Sequence, residues 1–175
     1  MTARPHDLRL ALFEPDLAPN FGAMLRLAAC FGAAVDVIEP CGFPLDDRRI
    51  RRTGMDYLAH VRWRRHADFA AFERWRRAEG RRLVALSRHA ARPHHRFAFA
   101  ADDVLLLGRE SAGLPAPVRA VADVVLTIPM RPGLRSLNVV TAAAIVLAEA
   151  LRQLGVLDDW IPRDHGDGGP QGPRP

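Results

Sequence analysis

Short, almost wholly apolar runs alternate along this chain with stretches whose apolar positions recur at helical spacing. The runs at residues 8–13, 35–38, 83–86, 104–107 and 124–128 are bounded by Pro, Gly or Asp, and a weaker one covers 61–63. Strands buried on both faces read this way, because neither side meets water. Between them, Met24, Leu27, Ala28 and Phe31 stand at i, i+3, i+4 and i+7 and predict one apolar helix stripe. Phe69 and Phe72 open a second, highly charged helix that reaches Arg76 and Ala78. A last helix can start at Asn138, a good N-cap residue, and stop before Gly155. It is apolar nearly all round, so the core or another subunit must cover it. Strands alternating with helices predict an α/β domain with a mainly parallel sheet flanked by helices. That single domain is expected over residues 1–158, with 159–175, rich in Gly and Pro, as a disordered tail.

Composition adds little to this picture, but charge changes it. The 175 residues suffice for one domain with a real core. The net charge is +5 and all 25 basic residues are arginine. Such an excess points to a polyanionic partner, nucleic acid ahead of an acidic membrane surface. Arg48, Arg49, Arg51 and Arg52 form one run, and Arg62, Arg64 and Arg65 surround Trp63 in another. Each arginine taken alone reads equally as part of a solvated face. Cys30 and Cys41 make no disulfide framework or zinc pattern. His89, His94 and His95 lack metal-ligand spacing and read as solvated loop residues. Met1 to Asp7 carries no signal-like apolar stretch, and no run is long enough to span a bilayer. A soluble, cytoplasmic protein without metal is expected.

Several familiar motifs fail. No GxGxxG follows a strand and no GK[ST] occurs, so a nucleotide-binding oxidoreductase is disfavoured. Gly108-Arg109-Glu110-Ser111 resembles a nucleophile elbow, but Arg109 stands where the elbow needs glycine. Three segments follow strands, at the sheet edge where open α/β proteins bind ligands. They are Asn20-Phe21-Gly22 through Arg26, Gly108 through Pro115, and Ile128-Pro129-Met130 followed by Ser136-Leu137-Asn138. Each alone has an ordinary reading. Asn20 can cap a helix, Arg26 can be a solvated helix residue, and Ser136 and Asn138 can cap the last helix.

Taken together and in this order, the three segments resemble the SPOUT class of RNA methyltransferases, with an N-x-G…R turn, a G-x-E-x-x-G-L loop and an IPM…S-L-N segment. The likeness runs from about Leu8 to Gly155. Glu39-Pro40-Cys41-Gly42-Phe43 and the stretch from Asp46 to Tyr57 are similar to the TrmL subfamily, which methylates the ribose of the wobble nucleotide (cytidine or uridine) in certain leucine tRNAs. The resemblance implies a C-terminal trefoil knot, a homodimer, tRNA as substrate and S-adenosylmethionine as cofactor. It implies cofactor contacts, largely main-chain, from Leu86, Gly108, Ile128, Ser136 and Leu137. It gives Arg26, Asn20, Glu110, Ser136 and Asn138 the catalytic roles, and RNA contact to Arg48, Arg49, Arg51 and Arg52. Arginine is effectively always protonated, so Arg26 is read as a charge that steadies the ribose oxygen rather than as a base. Phe21 and Ala23 depart from the small polar residues usual there and are expected to flank the site. A SPOUT enzyme acting on another tRNA or rRNA ribose, and a catalytically silent RNA-binding relative, stay open.

Overall fold

The computed structural model describes residues 6–45, 60–134 and 136–160. Among them, the apolar runs become one wholly parallel sheet. In chain order its strands are β1 (Arg9–Phe13), β2 (Ala34–Ile38), β3 (Trp63–His66), β4 (Leu83–Leu86), β5 (Arg92–Pro93), β6 (Val104–Leu107) and β7 (Val124–Thr127). Across the sheet the order is β3-β2-β1-β6-β4-β7-β5. The chain thus leaves β4 for the edge, returns to place β6 beside β1, and comes back to insert β7 between β4 and β5.

Successive strand residues point to opposite faces, so each run feeds two cores. Leu10 and Leu12 of β1 pack with α1 (Ala18–Phe31) through Met24, Leu25 and Ala28, and with α4 (Val139–Gln153) through Val146, Leu147 and Ala150. Ala11 and Phe13 turn the other way, toward Phe72 of α2 (Phe69–Ala78) and Val118 of α3 (Ala116–Val121). Fully burying one such Leu or Phe contributes about 1.5–3 kcal/mol, which is why the central strands are mostly apolar on both faces.

The structure moves several expectations. The weak strand lies at Trp63–His66, two residues later than its apolar signal, because it forms an exposed edge with arginines at its centre. Leu27 and Phe31 are only partly buried, and the α1 stripe instead centres on Phe21, Met24, Leu25 and Ala28. Asn20 is not the cap of α1. Leu17 occupies that position and Pro19 sits in the first turn, where its missing N–H costs nothing and its fixed φ suits the helix. Asn138 does cap α4, accepting from the backbone N–H groups of Val140 and Thr141. His94 is buried in a short 3-10 turn, not solvated. Trp160 packs on Phe31 with ring centroids 6.2 Å apart. Arg48, Arg49, Arg51, Arg52 and the whole 46–57 stretch lie outside the described residues, as do 161–175.

Candidate active site

The loops after β1, β4, β6 and β7 leave the sheet on one side, at its carboxyl edge. The loop after β6 is shaped first by its glycines. A Cβ on Gly108 would come 2.3 Å from the carbonyl carbon of Gly113 and 2.5 Å from the nitrogen of Leu114. Gly113 itself takes φ +70°, a left-handed conformation natural to glycine. The loop therefore folds back on itself, with Arg109 N–H donating to Gly113 O at 3.2 Å and Gly113 N–H to Arg109 O at 2.8 Å. This turn aims Glu110 toward the start of α1.

Asn20 joins the three motif segments, bonding Glu110 on one side and Asn138 on the other. Asn20 Nδ2 donates to Glu110 Oε1 at 3.1 Å, and Asn138 Nδ2 donates to Asn20 Oδ1 at 3.1 Å. With no helix to cap, the Asn20 amide is available for both bonds. The other Glu110 oxygen, Oε2, accepts the backbone N–H of Asp16 at 3.0 Å. Asp16 returns the contact, since its Oδ1 accepts the N–H of Glu110 at 3.2 Å and its Oδ2 accepts from the Ser111 hydroxyl. Burial pushes the Glu110 carboxyl above its ordinary range, and the Asp16 carboxylate beside it adds to the shift. Hydrogen bonds with Glu110 and Ser111 hold the Asp16 carboxyl down to about 2. Nearby, Arg109 pairs with Glu14 at the end of β1.

This cluster borders a pocket of about 530 Å³. Leu86, Gly108, Ile128, Ser136 and Leu137 all line it, as do Asn20, Glu110 and Asn138. Arg26 does not; it is exposed on α1, beyond the pocket wall. Phe21 does not flank the site either. Its ring is buried against Phe43 and Trp63, at 5.6 and 6.3 Å, because it sits on the core face of α1. Ala23 is exposed and is not part of the lining. The arginines of the second run are exposed, each with a partner in the fold. Arg62 pairs with Asp7 at 2.7 Å, Arg65 with Glu39 at 2.9 Å, and Arg64 lies 4.8 Å from the centre of the Trp75 ring.

Other residues of the site carried no signal in the reading of the sequence. Ser87 and Arg88 line the pocket from the loop after β4, and Thr127 from the end of β7. Their shared sign is position, just past a strand's carboxyl end. Asp16 has the same sign, in the loop after β1. Among the described residues no group of three or more His, Cys, Asp or Glu is placed to hold a metal. No helix among them is long and apolar enough to cross a membrane.

The comparisons agree with one another. A tRNA (cytidine(34)-2′-O)-methyltransferase of Beijerinckia indica subsp. indica is 56% identical over 148 residues, covering 85% of this chain and 92% of the relative. The enzyme of the same name from Escherichia coli K12 is 39% identical over 150 residues, covering 85% and 94%. A solved chain from work on the 2-OH methylation of C/U34 on tRNA superposes with a TM-score of 0.81 at 38% identity, over 87% of this chain and 99% of its own. The SpoU methyltransferase AviRb from Streptomyces viridochromogenes, in complex with AdoMet, gives 0.75 at 30% identity, over 87% and 60%. The family description that matches residues 7–148, from before β1 well into α4, is that of the SpoU rRNA methylases, and the chain belongs to that family.

Proposed function

We propose that this protein methylates the ribose 2′-hydroxyl of the wobble nucleotide of a tRNA, with S-adenosylmethionine as methyl donor. The observation that carries the reading is the hydrogen-bonded line Asn138–Asn20–Glu110, which ties three distant segments together beside one pocket. The relatives that match nearly end to end are named for methylation of cytidine 34 of tRNA.

The pocket suits the cofactor. Its volume of about 530 Å³ lies in the range of small-ligand sites, and Leu107, Leu126 and Ile128 offer apolar walls while Ser87 and Thr127 offer polar groups. S-adenosylmethionine supplies the methyl as an electrophilic sulfonium carbon. In this reading Leu86, Gly108, Ile128, Ser136 and Leu137 hold it, mainly through backbone groups. The ribose hydroxyl is a weak nucleophile, so the chain must stabilise charge as its proton leaves. Asn20 and Asn138 would orient the ribose, Glu110 would hold Asn20, and Arg26 would steady the 2′-oxygen or an adjacent phosphate. Because Arg26 stands off its own pocket, the expected homodimer matters to that role. Exposed Leu17 and Leu137 at the pocket, and Ile145 on α4, support a partner surface there. Leucine tRNAs as substrates, phosphate contacts by Arg48, Arg49, Arg51 and Arg52, a cytoplasmic setting and the C-terminal trefoil knot complete the proposal. The insertion of β7 between β4 and β5 supports the knot.

The test is to incubate the protein with unmodified tRNA and labelled S-adenosylmethionine, then locate the methyl by nuclease digestion and mass spectrometry. Label on the wobble ribose is the expected result. Label on another ribose would sink the site assignment, and cofactor binding without transfer to any RNA would favour a silent binder. Arg26→Ala is expected to keep cofactor affinity and lose turnover; equal loss of both would make Arg26 structural.

A further inference from the structure

The Glu110 carboxyl that holds Asn20 is itself held in place from behind, by residues outside the three motifs. Asp16 is bound to the 110–111 stretch by three hydrogen bonds, its own N–H to Glu110 Oε2 and its two carboxylate oxygens to the Glu110 N–H and the Ser111 hydroxyl. Glu110 and Asp16 therefore each accept the other's backbone N–H, a reciprocal clasp between segments 94 residues apart. A third segment backs the clasp. Gly42 N–H donates to Pro15 O at 2.9 Å, and a Cβ on Gly42 would lie 2.8 Å from Asp16 Cα and 2.9 Å from its Cβ and carbonyl oxygen. Backbone stands in the way at two of those atoms, so a side chain at 42 must displace Asp16.

We propose that Asp16, braced by Gly42, is a positioning residue that fixes Glu110 and the 108–113 loop in the geometry methyl transfer needs. The inference rests on the methyltransferase reading for its catalytic part and on the clasp alone for its structural part. Charge favours the arrangement. An Asp16 carboxyl held near 2 stays ionised throughout any working pH, so both of its acceptor oxygens persist. The same negative charge contributes to the raised Glu110 carboxyl.

Three variants test it, Asp16→Ala, Asp16→Asn and Gly42→Ala, each assayed for methyl transfer, cofactor binding and amide hydrogen exchange. Asp16→Ala is expected to lower kcat roughly ten- to a hundredfold while KM for S-adenosylmethionine stays within about twofold, the scale of a misplacement near 1 Å. Gly42→Ala should give a smaller loss of the same kind. Asp16→Asn keeps an acceptor for the Glu110 N–H but removes the charge, so its loss should be partial and the acid limb of its kcat profile should move to lower pH. In all three, exchange should rise at residues 109–113 and stay unchanged in the central strands. Wild-type kcat in Asp16→Ala, or a parallel fall of kcat and cofactor affinity, would overturn the positioning role. Unchanged exchange at 109–113 would overturn it whether or not any RNA is methylated. Absence of transfer by the wild-type protein would instead count against the proposed function, leaving exchange to decide the clasp.

Discussion

Asp36 on β2 and Glu110 after β6 are both carboxyl groups bonded by residues from distant parts of the chain, yet their settings differ. Asp36 has no exposure at all; one oxygen takes Arg9 Nε at 2.5 Å and the other meets His66 Nε2 at 2.8 Å. Arg9 in turn lies 5.0 Å from the centre of the Trp75 ring, and the His66 ring packs edge-on against Phe72 at 5.3 Å. The interior thus completes this group with its own side chains. Glu110 is half-buried, is bonded by a neutral amide and a backbone N–H, and borders a pocket. The contrast separates polar chemistry that closes a core from polar chemistry left facing a ligand. A buried ion pair is weak evidence for function, because its desolvation cost demands that every valence be met.

Substitutions should divide along that line. Asp36→Ala strands Arg9 in the interior and removes the partner of His66 Nε2, and is expected to cost about 3–5 kcal/mol in denaturant unfolding. Its methyl transfer per folded molecule should stay near wild type; a specific loss of kcat at full stability would erase the contrast. Asn20→Ala should do the reverse. A tenfold to hundredfold fall in kcat, about 1.4–2.7 kcal/mol, is expected with little change in Tm, because the amide caps no helix. Asn138→Ala lies between the two, since this residue both caps α4 and holds Asn20. Loss of the cap costs about 1 kcal/mol, and a fall in kcat should accompany it.

The smallest effect concerns pH. Asp16 and Glu149 are both held to about 2, Asp16 by bonds with Glu110 and Ser111, Glu149 by bonds from Arg152 and Gln153. Groups depressed in the folded state stabilise it above their ordinary range and lose that contribution as pH falls toward the folded value. Stability measured by thermal unfolding should therefore decline in acid, down to about pH 2. Glu110 is shifted the other way, by burial first, and its protonation in weak acid offsets part of the decline. In the Asp16→Ala variant the acid decline should be shallower.

Much of this was legible in the chain. The apolar runs located five strands to within a residue or so, and the Asn138 cap was readable because capping is a local matter of one side chain and two nearby N–H groups. Asn20, Glu110, Ser136 and Asn138, which the resemblance named, line one pocket. What escaped depends on tertiary pairing. Two-residue β5 and six-residue α3 are too short to show a period. Arg62 and Arg65 are exposed, as a solvated face requires, but the acids they pair with, Asp7 and Glu39, are far away in sequence. Phe21 looked like a neighbour of the site because it adjoins Asn20, whereas one step along a helix turns a side chain by about 100° and carries this ring into the core. Asp16 left no trace because its partners lie 94 and 95 residues onward.

The dual use of Asn138 has a consequence for direction. Its oxygen is claimed by the α4 backbone N–H groups, so only its nitrogen can reach Asn20, and the Asn20 amide must then present oxygen to it and nitrogen to Glu110. Donor-to-acceptor polarity runs one way along the line, leaving Glu110 Oε1 no choice but to accept. The dipoles at the start of a helix thereby set, through two amides, the direction in which a carboxyl in another loop is bonded.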